Sequence, residues 1–239
     1  MKNNYSAKKC IMVCAGELDV QKTDIIVGED DVLIAVDGGL TYCRQLSLKP
    51  DVIIGDFDSA SEEDRAYIKD IRDNGASKNA SADETYCDNA GTSIFELPKE
   101  KDDTDTIAAI RKGLELGCTL FYIYGASGGR IDHYFANIQA LLFIKHHGAE
   151  GRLIGNGCEL FVIENETVDL GCKQTGTVSL FVLGDRAQGV TIDGLYYEVK
   201  DVELTNDYPI GISNEFCGKN ATVTVNNGAL ICMVGEALR

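Results

Sequence analysis

Asp56 and Asp58 stand two residues apart, behind the apolar run of Asp51-Val-Ile-Ile-Gly55-Asp56-Phe57-Asp58-Ser59. In an extended or tightly turned chain that spacing aims two carboxylates at one point. Asp37-Gly38-Gly39 follows another apolar run, Val32–Val36. Lys101-Asp102-Asp103-Thr104-Asp105 precedes a helical pattern. Gly125-Ala-Ser-Gly128-Gly129-Arg130-Ile-Asp132-His133 joins a strand pattern to a helical one. Carboxylates of this kind suit one or two Mg²⁺ ions, which take oxygen ligands and share them with phosphates. A glycine-rich loop opening a helix offers free N–H groups to phosphate. Arg130 adds a forked cation for phosphate oxygens.

Taken singly, each segment has a plainer reading. The acids at 102–105 suit a helix cap and its dipole. Asp56 and Asp58 suit a solvated turn, and Gly38-Gly39 a tight one. Arg130 suits a surface ion pair, and His133 a structural role. The loop is neither a P-loop nor a dinucleotide fingerprint. The coincidence of all the segments at strand ends favours a metal-and-phosphate site.

The elements that must position them read as follows. Strands are expected at Cys10–Ala15, Val32–Val36, Val52–Ile54 and Leu120–Tyr124. Helices are expected at Ser61–Arg72 with Ser61 as N-cap, at Thr104–Gly117, and at Asp132–His147 before Gly148. Such alternation predicts a mainly parallel sheet with helices on both faces. Ligands bind beyond the carboxyl ends of such strands, where the acidic and glycine-rich segments fall. Residues 74–93, rich in Asn, Ser, Ala, Asp and Gly, read as a surface excursion. From about Gly151 the texture turns to short β-like runs: Leu160–Ile163, Val178–Leu183, Val190–Ile192, Tyr196–Val199, Ala221–Val225 and Ala229–Val234. The fold class is therefore an α/β, Rossmann-like N-terminal domain (1–150) followed by an all-β sandwich domain (151–239).

The 239 residues carry 22 basic and 38 acidic side chains, a formal net charge of −16. That disfavours nucleic acid and polybasic membrane contact as partners. The composition, 44% hydrophobic and 25% charged, is that of an ordered globular chain. The polar start and the short Cys10–Ala15 run fit no signal peptide, and no stretch approaches a membrane span. The nine cysteines include no CxxC pair, and no zinc-ligand pattern is visible. They are expected to be reduced, in a cytoplasmic protein.

In order and spacing the segments resemble the thiamin pyrophosphokinase family. The matching stretches are DGG at Asp37–Gly39, PDxIIGDFDS at Pro50–Ser59, KDxTD at Lys101–Asp105 and GxxGGRxDH at Gly125–His133. GVTIDGLYY at Gly189–Tyr197 and GISNE at Gly211–Glu215 extend the match to nearly the whole chain. The resemblance implies transfer of a pyrophosphoryl group from ATP to thiamin, giving thiamin diphosphate and AMP, in a Mg²⁺-dependent homodimer. It implies Asp56, Asp58 and Asp105 as Mg²⁺ ligands and, with Arg130, as the catalytic set. Asp37, Gly38, Gly39, Asp102, Thr104 and Asp132 would bind or order the nucleotide and metal. Gly128, Gly129 and Arg130 would lie along the triphosphate. Ser213 and Asn214 would reach the thiamin pocket across a dimer interface. Some family members stack thiamin on a Trp in the last strand; this chain has none, and Ile231 falls near that position. Phe216, Tyr196 or another residue would then supply the apolar face. Two further readings use the same residues: pyrophosphoryl transfer to another alcohol, such as a hydroxymethylpterin, and a nucleotide- or thiamin-binding module without turnover.

Overall fold

The computed structural model describes residues 7–58, 60–74, 76–77, 85–87, 91–98, 102–155 and 157–236. Ser59 and Lys101 of the quoted motifs, and part of 74–93, lie outside them. The chain forms two compact units, Met1–Gly155 and Asn156–Arg239.

The first unit is built from β1 (Lys9–Val13), β2 (Val32–Val36), α1 (Gly39–Gln45), β3 (Val52–Gly55), α2 (Glu62–Asn74), β4 (Ala76–Ser77), β5 (Thr85–Cys87), β6 (Ser93–Glu96), α3 (Asp105–Glu115), β7 (Leu120–Tyr124), α4 (Ile131–His146) and β8 (Glu150–Gly155). Its strands lie in the order β8-β7-β1-β2-β3-β6-β5-β4. The ladders from β8 to β6 are parallel. β2 is buried at every position, as a parallel strand covered on both faces must be. Ile11, Val13, Leu33, Ala35 and Ile53 pack on one face with Leu40 and Cys43 of α1 and Ile68 and Ile71 of α2. Alternation turns Met12 and Ile34 to the other face. There α3 meets β2 and β3, and α4 meets β8. A side chain at Gly151 would stand 2.7 Å from Ile144, so this glycine lets α4 sit close on β8.

Four elements depart from the expectations. Gly39 opens a helix rather than a turn; seven residues are too few to show helical periodicity. Parts of the 74–93 stretch are strands: β4 and β5 form an antiparallel hairpin that pairs with β6. Strands of two and three residues carry no readable alternation, yet they cover a sheet edge. β8 keeps the first unit going to Gly155, because it pairs in parallel with β7.

The second unit comprises β9 (Cys158–Glu164), β10 (Thr167–Cys172), β11 (Thr177–Val182), β12 (Arg186–Asp193), β13 (Val199–Thr205), β14 (Asn214–Glu215), β15 (Asn220–Thr224) and β16 (Ala229–Gly235). All its ladders are antiparallel, in the orders β14-β11-β16-β9 and β10-β15-β12-β13. Val178, Leu180, Leu230 and Cys232 from the first sheet meet Ala187, Val190 and Val223 from the second in one core. This is a sandwich. The expected strand Tyr196–Val199 is corrected: β13 begins at Val199, and Tyr196 and Tyr197 lie on the loop before it. No helix among the described residues is long and apolar enough to cross a membrane.

Candidate active site

The parallel order sets the place of the site. From β1 the chain proceeds to β2, β3 and β6, then returns to add β7 and β8 on the other side of β1. The loops leaving β1 and β7 therefore diverge, and a crevice opens at their carboxyl ends. The two loops are stitched together at the floor. Cys14, Gly16 and Glu17 donate their N–H groups to the carbonyls of Tyr124, Gly125 and Ser127 at 2.9, 2.6 and 2.7 Å. A Cβ on Gly16 would stand 2.5 Å from two of those oxygens, so only glycine fits. Tyr42 donates its hydroxyl to Gly16 O at 2.8 Å, and Asn137 Nδ2 donates to Ala126 O at 2.9 Å. Each loop is thus tied to a helix.

Above this floor is a cavity of about 260 Å³. Of the expected residues it gathers Asp37, Asp105, Gly128, Gly129 and Arg130. Gly125, Ala126, Ser127 and His133 of the same quoted segment line it too, while the sequence reading missed Cys14, Gly16, Tyr134 and Asn137. The Ala15-Gly16 step after an apolar strand was the available signal for the β1 loop; Asn137 gave none, being one polar residue in a helix.

Asp37 ends β2 with φ 49°, and its N–H donates to Ile54 O at 2.8 Å. Gly55 packs against it: a Cβ there would lie 3.0 Å from Asp37 Cα. Asp56 follows directly, and its Oδ1 accepts the Asp58 N–H at 3.1 Å. Arg65 from α2 holds the Asp58 carbonyl at 2.8 Å. The α3 N-cap is the Thr104 hydroxyl, which accepts the Ile107 N–H at 3.2 Å. Asp103 pairs with Arg111 at 2.9 Å. Capping therefore does not consume Asp105, which faces the cavity. Gly38, Gly39, Asp56, Asp58, Asp102, Thr104 and Asp132 do not line it.

Arg130 stands at the rim and grips Asp132 with Nη2–Oδ2 at 2.6 Å and Nε–Oδ1 at 3.2 Å. The guanidinium bonds hold the Asp132 carboxyl down to about 2. Both side chains are exposed, so the pair opens easily to another anion. Burial pushes the Cys14 thiol up to about 12, with Cys43 and Asp105 adding to the rise against a hydrogen bond with Thr106. The thiol is neutral, a wall and not a nucleophile.

Among the described residues no three Asp, Glu, His or Cys side chains converge closely enough to hold a metal alone. The oxygen donors around the cavity fit a Mg²⁺ ion of the kind held by one or two carboxylates and completed by phosphates and water.

In the second unit Ser213 is exposed with φ 56°, and its N–H donates to Ser179 Oγ at 3.0 Å. Asn214 is buried and occupied. Its Oδ1 accepts the Tyr197 and Glu215 N–H groups, both at 2.9 Å, and its Nδ2 donates to Tyr197 O at 2.7 Å. It pins the Tyr196–Tyr197 loop. Phe216 is buried, with Lys173 over its ring.

Residues 23–151, more than half of the chain, match the family model for the thiamin pyrophosphokinase catalytic domain. Residues 165–230 match that for the thiamin pyrophosphokinase vitamin B1 binding domain. A thiamine pyrophosphokinase of Bacillus subtilis (strain 168) is 25% identical over 204 residues, 85% of this chain and 86% of the relative. The crystal structure of thiamine pyrophosphokinase from Bacillus subtilis superposes with a TM-score of 0.78 at 23% identity, covering 97% of this chain and 100% of that one. The yeast thiamin pyrophosphokinase superposes with a TM-score of 0.71 at 15% identity, covering 98% and 88%. With both of its units matched in order, the chain belongs to the thiamin pyrophosphokinase family of enzymes.

Proposed function

We propose that the chain transfers the pyrophosphoryl group of ATP to the hydroxyethyl oxygen of thiamin, giving thiamin diphosphate and AMP. The observation that carries this reading is the cavity at the switch point, where Asp37 and Asp105 face the Gly125–Arg130 loop. Carboxylates opposite a phosphate-binding loop fit a metal–nucleotide pair better than a bare anion, which they would repel. Mg²⁺ would be shared between phosphate oxygens, water and one or two of Asp56, Asp58 and Asp105, with Asp37, Asp102 and Asp132 ordering the surroundings. When bound, Mg²⁺ neutralises phosphate charge and orients the triphosphate.

The chain's own residues do the rest. Gly128 and Gly129 hold no side chain between the loop backbone and the phosphates. Arg130 turns from Asp132 to the phosphate oxygens and stabilises the charge gathering on the AMP leaving group. The thiamin oxygen attacks the β-phosphorus in line; the bond from that phosphorus to the α-phosphate bridging oxygen breaks, and the hydroxyl proton passes to a cavity carboxylate. Most of the rate comes from positioning. Thiamin is held by the second unit, where Ser213 is exposed and Asn214 orders the neighbouring loop. The same reading has the enzyme act as a cytoplasmic homodimer, with free cysteines such as Cys172 and Cys217.

A ³¹P NMR time course with protein, ATP, Mg²⁺ and thiamin tests it. Thiamin-dependent AMP and thiamin diphosphate are expected. AMP formed only with a hydroxymethylpterin or another alcohol would move the substrate. No AMP with any acceptor, despite ATP binding, would overturn the enzymatic reading.

A further inference from the structure

We infer that Asn137 is a positioning residue for the nucleotide: its side-chain amide fixes the Ala126–Ser127 peptide of the loop that takes the phosphates. This rests on the nucleotide reading above and deepens it.

The loop is held by its carbonyls. Those of Tyr124, Gly125 and Ser127 accept backbone N–H groups from Cys14, Gly16 and Glu17. The Ala126 carbonyl, between them, accepts from a side chain instead, Asn137 Nδ2 at 2.9 Å. Gly125 and Gly128, on either side of Ala126 and Ser127, have φ of 62° and 75°, where glycine turns with least strain. The peptides between them rotate easily unless something pins them. A trans peptide is planar, so holding the Ala126 oxygen also sets the Ser127 N–H, which leaves in the opposite direction. A phosphate bound by loop N–H groups depends on how that plane is turned.

The place of Asn137 on α4 supports this role. It stands three, four and seven residues before Ala140, Leu141 and Ile144, the buried stripe of the helix. That stripe would favour an apolar residue, and a half-buried amide there costs stability unless it is bonded. The same stripe makes the amide a firm anchor, because Leu141 and Ile144 close on Gly151 of β8. Asn137 also lines the cavity with Gly128 and Arg130. Ser213 and Asn214, proposed for thiamin, belong to the second unit. The loss of Asn137 should therefore fall on ATP and spare thiamin.

Asn137→Leu keeps the size of the side chain and removes the donor. MgATP binding by calorimetry is expected to weaken about 10-fold and the KM for ATP to rise as much, while the KM for thiamin stays within about two-fold and the melting temperature holds. Asn137→Gln, which keeps an amide, is expected to recover part of the ATP affinity. Asn137→Asp has nearly the native shape and serves if Asn137→Leu does not fold. Its carboxylate meets the Ala126 oxygen as acceptor to acceptor, whereas a protonated carboxyl donates. Its deficit in ATP binding relative to the wild type is expected to shrink as pH falls. Wild-type MgATP affinity in Asn137→Leu would overturn the inference. An equal rise in both KM values, or a deficit in Asn137→Asp that ignores pH, also overturns it. If the wild type binds MgATP but releases no AMP, weaker binding by Asn137→Leu keeps the inference and the catalytic reading alone fails. A wild type that binds no MgATP overturns both.

Discussion

A methyl group on Gly39 would stand 1.9 Å from the Val13 carbonyl oxygen. That oxygen belongs to the backbone of a central strand and cannot step aside. Gly39→Ala is therefore expected to destabilise the fold by at least about 2 kcal/mol, read as a lower melting temperature, although alanine has the better helix propensity. A gain in stability would show that α1 shifts freely on β1. Asp56 separates chemistry from structure. Its Oδ1 accepts the Asp58 N–H, and an asparagine keeps that acceptor. Asp56→Asn is expected to lower turnover by about 100-fold or more while the melting temperature holds, because the lost charge is the one a metal–nucleotide pair needs. Near-normal turnover would remove Asp56 from the mechanism.

At the scale of elements, a buried carboxylate joins the first two helices. Asp64 on α2 is fully buried, accepts from the Thr41 hydroxyl and pairs with Arg44 Nη1 of α1 at 2.9 Å. Its own N–H reaches Ser61 Oγ at 3.1 Å, closing the helix start. Burial pushes its carboxyl up, but hydrogen bonds from Thr41, Arg44 and Ser61 outweigh that and hold it below its ordinary value of 3.8. The folded state thus binds this proton more weakly than the unfolded chain. The stabilisation is whole above that ordinary value and is lost as pH falls through the lower native one. Melting temperatures from pH 6 down to pH 3 are expected to fall less steeply for Asp64→Asn than for the wild type. Asp64→Ala, which strands Arg44 and Thr41, is expected to cost about 2–3 kcal/mol near neutral pH, moderated by the exposure of Arg44. Equal slopes for wild type and Asp64→Asn would place the acid sensitivity elsewhere.

At the scale of the molecule, the two units have separate cores, and the proposed reaction gives each its own ligand. MgATP is expected to slow amide exchange at 14–17 and 125–130 by about 10-fold or more, since a ligand that binds only the closed loops suppresses their opening. β12 and β15 in the second unit are expected to exchange as before. Protection confined to the second unit would remove the nucleotide from the switch-point cavity. Thiamin should show the converse pattern, around 211–213.

What could be read from the residues alone was local. The continuous apolar run Val32–Val36 marks a buried strand, and Thr104 before Ile107 and Ile110 marks a helix start. The order of acidic and glycine-rich segments revealed the family, because those residue types sit at strand ends whatever the strand order. Short elements escaped: α1, β4 and β5 span less than two full periods of any pattern. The assignment of Tyr196–Val199 to a strand failed because aromatic and β-branched residues also suit an exposed loop held by a distant Asn214. Tertiary structure alone decided that Asp37, Asp105 and Gly125–Arg130 share one cavity, and that Asn137 and Tyr42 hold its loops. Such contacts depend on which strands become neighbours. Sheet order follows from packing the whole core, and no window of residues records it.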